Sequence, residues 1–319
     1  PAMTEQANQV LQNFQIRKST RQKREFRAWL RRQMEETGYT VTEERGRFSG
    51  TNVIVGDPEQ AELLLTAHYD TQAVLPFPNF ITPRSLGWYL AYQMVFVVLL
   101  LALAFAAELT VLLLFDPPGW AAPLPAWAVC MLFLWWMFFG KANRHTVNDN
   151  TSGVITLLEI AFTLPPEDRP GVCLVFFDNE ERGMLGSAAF ARRHPSARQD
   201  KLVLNFDCVS DGSSIQFFPT KALKGDAGTL ERLERAFLPV EGKTVEVVRG
   251  FGFYPSDNAS FRRAAGVCAL KKHPVFGWYM DRIHTGRDTV FQEENIELLR
   301  RGALALAAED REERKSLDR

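Results

Sequence analysis

The feature that most constrains the fold of this chain is a long apolar segment near its middle. Every residue of the range 94–107 is apolar, and apart from Glu108 and Thr110 the run continues to Phe115. As a helix over residues 88–115 it would be about 42 Å long, enough to cross the roughly 30 Å hydrocarbon layer of a membrane with some tilt. The mean hydropathy of the whole chain, −0.14, conceals this local concentration. We therefore predict a membrane-spanning helix here.

A second apolar run follows directly. The motif DPPG at 116–119 predicts a turn. Residues 120–139 are again apolar, with two prolines confined to the start, where a helix tolerates them. These patterns predict a two-helix transmembrane hairpin inserted at residues 86–139. The alternative is a buried hairpin that joins copies of the chain in a homo-oligomer, since the second run is barely long enough to span and Glu108 interrupts the first.

The distribution of positive charge predicts the orientation of this hairpin. Its tip carries no Lys or Arg, whereas Arg84, Lys141 and Arg144 flank its base. Because positive residues remain on the cytoplasmic side, we expect an integral protein of the inner or plasma membrane with its polar bulk in the cytoplasm. Four cysteines without a CxxC pair also favour a reducing compartment.

Residues 17–32 form a second feature, with eight basic residues against the single acid Glu25. This stretch either lies on anionic lipid or is the solvated face of an amphipathic helix. The lipid bilayer is thus one expected partner. Over the whole chain, 37 basic residues balance 38 acidic ones, which gives no reason to expect a nucleic-acid partner.

The remaining residues, 1–85 and 140–319, are numerous enough for one catalytic domain. Short apolar runs typical of buried strands alternate with helical patterns there. The expected strands are 39–44, 48–55, 62–67, 172–177 and 202–206, and the expected helices are 19–37, 152–164, 184–194, 229–237 and 292–308, followed by a frayed tail at 309–319. This alternation predicts an α/β three-layer sandwich, with a central, mostly parallel mixed sheet and helices on both faces.

Side chains that commonly bind metals stand next to these runs. His-Tyr-Asp at 68–70, Asp-Asn-Glu-Glu at 178–181 and Asp207 each follow an expected strand. Asn-Asp-Asn at 148–150 precedes an expected helix, and His284 comes late in the chain. In α/β folds such groups meet beyond the carboxyl ends of the strands. Imidazole and carboxylate ligands together suit zinc, with manganese or cobalt as substitutes.

Six stretches of the sequence resemble, in order, motifs of the co-catalytic zinc exopeptidases, the aminopeptidase and glutamate carboxypeptidase type of peptidase clan MH. They are LLLTAHYDT at 63–71, NDNTSG at 148–153, VFFDNEERGMLGS at 175–187, LNFDCVS at 204–210, PSDNASF at 255–261 and HTGRDT at 284–289. Together they cover nearly the whole chain outside the apolar hairpin.

The resemblance implies a site for two zinc ions that share one bridging carboxylate. Its ligands would be Asp149 as the bridge, His68 and Asp207 at the first ion, and Glu181 and His284 at the second. The resemblance also implies that Glu180 is the general base of amide hydrolysis and that Asp70 orients His68.

The expected function is therefore that of a membrane-anchored aminopeptidase. The same site would also suit a carboxypeptidase, an N-acyl amino acid amidohydrolase or a cyclase. Acidic groups facing a substrate amine, or arginine facing a substrate carboxylate, would separate these alternatives, and arginines are available at 249, 262, 263, 282 and 287. A non-catalytic membrane scaffold is a third possibility, although such relatives lose metal ligands and this chain retains all five.

The place of the hairpin bears on the substrate. It interrupts the connection between His68 and Asp149, two of the implied ligands, so the mouth of the site should lie close to the bilayer. We expect a peptide or an acylated amino acid with an apolar or lipid-linked part as the substrate. The hairpin would then guide the substrate as well as anchor the enzyme, although it could equally act as an anchor alone.

Overall fold

The computed structural model describes residues 3–75 and 77–317 and is built around one mixed sheet. Its strands are β1 (Val41–Gly46), β2 (Gly50–Val55), β3 (Leu63–His68), β4 (Val172–Phe177), β5 (Leu202–Phe206), β6 (Ser214–Pro219), β7 (Thr244–Val247), β8 (Ala264–His273) and β9 (Gly277–Tyr279). The strand order is β1-β2-β4-β3-β5-β8-β6-β7, and β9 pairs with β8. The four central strands β4, β3, β5 and β8 are parallel, whereas β2 and β6 run antiparallel to their inner neighbours.

Helices cover both faces of this sheet. They are α1 (Glu5–Asn13), α2 (Thr20–Glu36), α3 (Leu86–Phe115), α4 (Leu124–Phe139), α5 (Gly153–Thr163), α6 (Leu185–Arg193), α7 (Pro195–Gln199), α8 (Lys221–Lys224), α9 (Ala227–Ala236) and α10 (Glu293–Leu317). Leu63 and Leu65 of β3 belong to the hydrophobic cluster that includes residues of α1, α2, α5, α9 and α10, whereas Leu64 belongs to the cluster that includes residues of α6 and α7. Burial on both faces explains the continuous apolar runs of the central strands. The predicted α/β architecture is confirmed.

Helix α2 contains most of the basic stretch at residues 17–32. Ser19 caps its amino terminus, and the side chain of Gln22 completes a capping box. Phe26, Leu30 and Met34, spaced at one helical turn, are buried against the sheet. Residues 20–32 of the stretch thus lie in an amphipathic helix that exposes Arg21, Arg24 and Arg32 and buries Lys23. Contact of these exposed residues with anionic lipid stays a prediction.

Several elements were not predicted from the sequence. Strands β6 to β9 and helices α1, α7 and α8 are additions to the expected set. The expected fraying at 309–319 is wrong for residues 309–317, which continue α10, and residues 318–319 lie outside the described residues. Asp310 pairs with Arg232, and Arg311 lies 3.1 Å from Asp168, so salt bridges hold this charged end of α10 against the domain.

The apolar segment forms two helices that pack against each other, α3 and α4. Among the described residues, α3 is the one helix that is long and apolar enough to cross a membrane, and only Ala104 within it is buried. Helix α4 has 16 residues and is about 24 Å long, because residues 120–123 form a turn and the helix begins only at Leu124. A second membrane span therefore stays a prediction.

Candidate metal centre

The predicted ligands meet at the edge of the sheet where the central strands end. His68 is the last residue of β3, Glu181 lies in the turn after β4, and Asp207 directly follows β5. Asp149 lies in the turn before α5, and His284 lies in the loop between β9 and α10. Because β4, β3 and β5 are adjacent and parallel, their carboxyl ends bring residues distant in sequence to one place.

The five side chains form two clusters that share Asp149. In the first cluster, His68 Nε2 lies 3.4 Å from Asp149 Oδ1 and 3.5 Å from Asp207 Oδ1. In the second, His284 Nε2 lies 2.8 Å from Asp149 Oδ2 and 3.3 Å from Glu181 Oε2. The two carboxylate oxygens of Asp149 thus face different clusters. This is the arrangement that a bridging carboxylate requires.

The clusters fit zinc in both donor chemistry and spacing. Within each cluster one ligand atom per residue lies within 4.8 Å of the others. Nitrogen and oxygen ligands about 2.0–2.1 Å from a tetrahedral zinc ion lie about 3.3 Å from each other. Most of the distances above match this spacing and exceed those of ordinary hydrogen bonds. His68 Nε2 and Glu181 Oε1 are also buried without a hydrogen-bond partner among the described residues, which a bound cation would explain.

Asp70 supports the site differently from what the resemblance implied. The main-chain oxygen of Asp70 lies 3.1 Å from His68 Nδ1, whereas its carboxylate is 3.6 Å from that nitrogen. The carboxylate instead accepts hydrogen bonds from the backbone amides of Glu180 and Glu181, at 3.0 and 3.2 Å. Asp70 therefore contacts the imidazole through its backbone and holds the turn after β4 through its side chain.

Three further residues brace the centre. The carboxylate of Asp288 accepts hydrogen bonds from the amides of Asn148 and Asp149, at 2.7 and 3.0 Å. Ser256 Oγ donates to Asp207 Oδ2 at 2.6 Å. Asn79 Nδ2 lies 3.3 Å from His284 Nδ1. Such contacts fix the orientation of side chains that bind metals.

The electrostatics of the site favour bound positive charge. Burial raises the pKa of Glu180 well above its ordinary value, and the neighbouring carboxylates of Glu181, Asp257 and Asp207 raise it further. Burial acts to lower the pKa of His68, but the carboxylates that face it, Glu180 first, raise that pKa well above its ordinary value. Without a metal ion, retained protons would reduce the repulsion between the packed carboxylates. A bound cation would take over this role, so metal binding should release protons.

The centre opens into a cavity of about 130 Å³. Its lining combines the proposed metal ligands and Glu180 with a group of mostly apolar side chains. This second group, the apolar wall, includes Ile81, Tyr89, Phe253, Tyr254 and Ile283. Tyr89 belongs to the first turn of α3, so the apolar hairpin contributes directly to the wall of the cavity.

Sequence reasoning missed several of these residues. Asn79, Ile81 and Phe253 come from irregular segments whose path no sequence pattern predicts. Asp257 lies in the PSDNASF motif, yet the sequence assigned it no role. It is fully buried, neither carboxylate oxygen has a hydrogen-bond partner among the described residues, and burial raises its pKa to about 7.

This fold and the paired histidine–carboxylate clusters define the class of the protein as a zinc-dependent metallopeptidase. A sequence model of the family described as Peptidase family M28 matches residues 138–308, more than half of the chain. The chain belongs to this family. The matched range contains Asp149, Glu181, Asp207 and His284, whereas His68 precedes it.

Solved structures of known proteins share the fold. A glutaminyl cyclase of Porphyromonas gingivalis aligns with a TM-score of 0.60 at 17% identity, over 95% of this chain and 96% of that one. A Zn-dependent exopeptidase of Parabacteroides distasonis gives a TM-score of 0.58 at 17% identity, over 94% of each chain. A leucine aminopeptidase precursor of Bacteroides thetaiotaomicron gives 0.58 at 14% identity, over 96% and 97%. Comparison with curated protein sequences finds no significant match.

Proposed function

We propose that this protein is a membrane-anchored aminopeptidase that holds two zinc ions and hydrolyses the first amide bond of a peptide. The observation that carries the proposal is the pair of clusters that share Asp149. In this proposal His68, Asp149 and Asp207 hold one ion, and Asp149, Glu181 and His284 hold the other. The catalytic domain comprises residues 1–85 and 140–319, and residues 86–139 form the membrane anchor.

Glu180 is the proposed general base. Its Oε2 lies 4.0 Å from His68 Nε2, and its Oε1 lies 3.5 Å from Ser256 Oγ, so the carboxylate lies beside the metal ligands without belonging to either cluster. Zinc held by these ligands would supply Lewis acidity to the scissile carbonyl and to the attacking water. Glu180 takes a proton from the attacking water and returns it to the departing amine. Asp70 keeps Glu180 in place through the backbone of the turn.

The lining of the cavity favours a substrate that presents no free carboxylate there. Its described lining includes the carboxylates of Asp149, Glu180, Glu181 and Asp207, and no Lys or Arg. The arginines that the sequence offered lie elsewhere, for example Arg249 against Glu234 and Arg282 against Asp211. A substrate carboxylate would therefore meet no cationic side chain in the cavity. This supports the aminopeptidase over the carboxypeptidase and over the hydrolase of N-acyl amino acids.

The apolar wall supports a substrate with an apolar part. Tyr89 of α3 packs near Phe253, with ring centroids 6.1 Å apart, at the point where the hairpin joins the domain. If α3 enters the bilayer, a lipid-linked or strongly apolar peptide can reach the cavity along this helix. The positive residues at the base of the hairpin support a cytoplasmic catalytic domain.

A glutaminyl cyclase is the second candidate, because a cyclase shares the fold over 95% of this chain. Cyclisation of an N-terminal glutamine also needs a free amine and an acid–base group beside it. The two reactions differ in their use of water, since hydrolysis adds a solvent oxygen to the product and cyclisation releases ammonia instead.

The deciding experiment uses the purified full chain in detergent with zinc. Leucyl and glutaminyl peptides are assayed in heavy-oxygen water, each with a free and with an acetylated amine. The proposal expects heavy oxygen in the released amino acid and at least a ~100-fold loss of kcat/KM on acetylation. Ammonia release from the glutaminyl peptide without heavy oxygen in the product would assign the protein as a cyclase. Preference for the acetylated peptides would contradict both candidates.

A further inference from the structure

A basic cleft lies beside the metal centre and takes no part in the proposed chemistry. It lies between the start of α2 and the turn that joins β1 to β2, with a volume of about 590 Å³, within the range of small-molecule sites. Its cationic lining residues are Lys18, Lys23, Arg24, Arg27, Arg45, Arg47 and Arg182, against the acids Glu43 and Asp178. The cleft therefore carries a large excess of positive charge.

Most of this charge is not neutralised by the protein. Lys23 pairs with Asp178 at 2.5 Å, and Arg27 lies 3.7 Å from Glu43. The remaining arginines of the cleft form no ion pair with any described carboxylate and are exposed; they are Arg24, Arg45, Arg47 and Arg182. Burial lowers the pKa of Lys18, and the nearby cations of Arg182 and Lys23 lower it further. Cations crowded in this way would be stabilised by an anion that lies among them.

The cleft lies at the edge of the sheet from which the apolar hairpin extends. Strand β2 is antiparallel to β4, so its first residue, Gly50, lies near the carboxyl end of β4. The segment that leads to the hairpin reaches the same edge, because Asn79 and Tyr89 line the cavity of the metal centre. Lys18 connects the cleft to the hairpin directly. Its Nζ donates to the main-chain oxygen of Phe138, in the last turn of α4, at 2.7 Å.

Phe48 adds an apolar group to the rim of the cleft. It lies at the β1–β2 turn, its side chain is 72% exposed, and Asn179 Nδ2 holds its main-chain oxygen at 3.0 Å. Arg47 lies over its ring, 5.2 Å from the centroid. An exposed aromatic ring among arginines is typical of a surface that meets the boundary between lipid headgroups and acyl chains.

We infer that this cleft binds the phosphate of an anionic phospholipid at the membrane surface, with Phe48 directed to the headgroup boundary. The inference rests on the membrane anchoring in the proposed function. The lipid headgroup would hold the turn after β4, through Arg182 and Asn179, at a fixed level relative to the bilayer. The mouth of the metal centre would then face lipid-borne substrates.

The test measures the thermal stability of the purified full chain in detergent while dioleoyl phosphatidylglycerol or phosphatidylcholine is added. The native chain should be stabilised by phosphatidylglycerol in a saturable way and not by phosphatidylcholine. A triple variant, R24Q with R45Q and R47Q, should need at least a ~10-fold higher phosphatidylglycerol concentration for half of the effect. These arginines are exposed and unpaired, so without lipid the variant should melt like the native chain.

The matched control is R192Q with R198Q and R301Q, which removes three exposed arginines that lie outside the cleft and form no ion pair with any described carboxylate. It should respond to phosphatidylglycerol like the native chain. An equal response of both triple variants would overturn the inference. Equal stabilisation by glycerol phosphate, or by a short single-stranded oligonucleotide, would also overturn it, since either would assign the cleft to a soluble ligand. Peptidase activity in lipid-free detergent is measured separately, so failure of this inference is distinguishable from failure of the proposed function.

Discussion

Glu180 and Glu181 are adjacent in the chain but differ in their surroundings. Glu181 Oε2 lies 3.3 Å from His284 Nε2, within the second cluster. Glu180 belongs to neither cluster and lies near Ser256. Both backbone amides donate to the carboxylate of Asp70, so this one carboxylate positions the backbone of both glutamates. The proposed roles of the two side chains can therefore be separated by substitution.

Replacement of Glu180 by Gln should lower kcat at least ~100-fold, because an amide of nearly the same shape cannot accept the proton of the attacking water. Both zinc ions should remain, since Glu180 is not a proposed ligand. Steady-state kinetics and zinc quantification by atomic absorption check the two statements. The control is Glu241→Gln, an exposed glutamate outside the site, which should retain native values. Near-native turnover in Glu180→Gln would exclude it as the base.

Replacement of Glu181 by Ala should have the complementary effect on metal content. The second cluster would keep only His284 and the shared Asp149, so the bound zinc should fall from two equivalents toward one. The loss should follow from ligand removal and not from unfolding, because Glu181 is outside the hydrophobic core. Metal analysis after dialysis, with circular dichroism to verify folding, makes the measurement. Two retained equivalents would reject the assignment of Glu181.

Three of the five candidate ligands were predictable from their places after strand patterns, whereas the roles of Asp149 and His284 came from the resemblance to the zinc exopeptidases. His68, Glu181 and Asp207 follow apolar runs, and the parallel order of those runs brings them together. The cavity wall was not predictable, because Asn79 and Phe253 lie in irregular segments. The sequence also did not predict what the Asp70 carboxylate contacts. A spacing of two residues places this carboxylate near His68, but only the structure shows that the backbone amides of Glu180 and Glu181 lie closer to it.

At the scale of elements, the site depends on how closely α5 approaches the end of β5. Gly153 is the first residue of α5. A Cβ atom there would overlap the main-chain oxygen of Phe206, the last residue of β5, and the side chain of Asn150. This close approach positions Asp149, in the turn before α5, near Asp207, which follows β5. Only glycine allows the two elements to approach this closely.

Replacement of Gly153 by Ala should therefore destabilise the protein by about 1–3 kcal/mol, although alanine normally favours a helix. Zinc affinity should also fall, because α5 must shift away from Asp207. Gly228→Ala in α9 is the matched control, since its Cβ would meet only Asp226, at 3.7 Å. That variant should be neutral or more stable by up to about 1 kcal/mol. Chemical denaturation measures both free energies of unfolding, and equal values would contradict the argument.

The elements themselves were predictable where periodicity was strong. Helix α2 and strands β3, β4 and β5 were expected within a few residues of their observed bounds. Strand β8 was missed because its first residues, Ala264 to Gly266, are small and carry little strand preference. Helix α4 begins later than expected, because Pro123 and Pro125 confine the helix to the residues that follow the turn.

At the scale of the whole molecule, the apolar hairpin is joined to the domain through the segment that follows β3. Phe77 packs on Phe96 of α3 and Phe133 of α4, with ring centroids 4.6 and 6.1 Å away. The hydroxyl of Tyr92 donates to the main-chain oxygen of Pro78. The segment in turn pairs with the domain at Ile81, opposite Met280. The hairpin is thus coupled to the loop that carries Asn79, which contacts His284, a proposed metal ligand.

Two variants separate anchoring from substrate guidance. In the first, a short Gly/Ser linker replaces residues 86–139, which removes the proposed anchor together with Tyr89. The second, Tyr89→Ala, keeps the hairpin and opens the apolar wall. The deletion should release the protein from membranes in a carbonate wash, whereas Tyr89→Ala should stay membrane-bound.

The decisive quantity is kcat/KM for a lipid-linked peptide relative to that for a short leucyl peptide. If the hairpin guides the substrate, this ratio should fall at least ~10-fold on deletion, because the apolar part loses a buried contact surface and its path along α3. Tyr89→Ala should give a smaller fall in the same direction, since only one side chain of the wall is lost. If the ratio is unchanged in both variants and the deletion protein is found in the soluble fraction, the hairpin anchors the enzyme but does not guide the substrate.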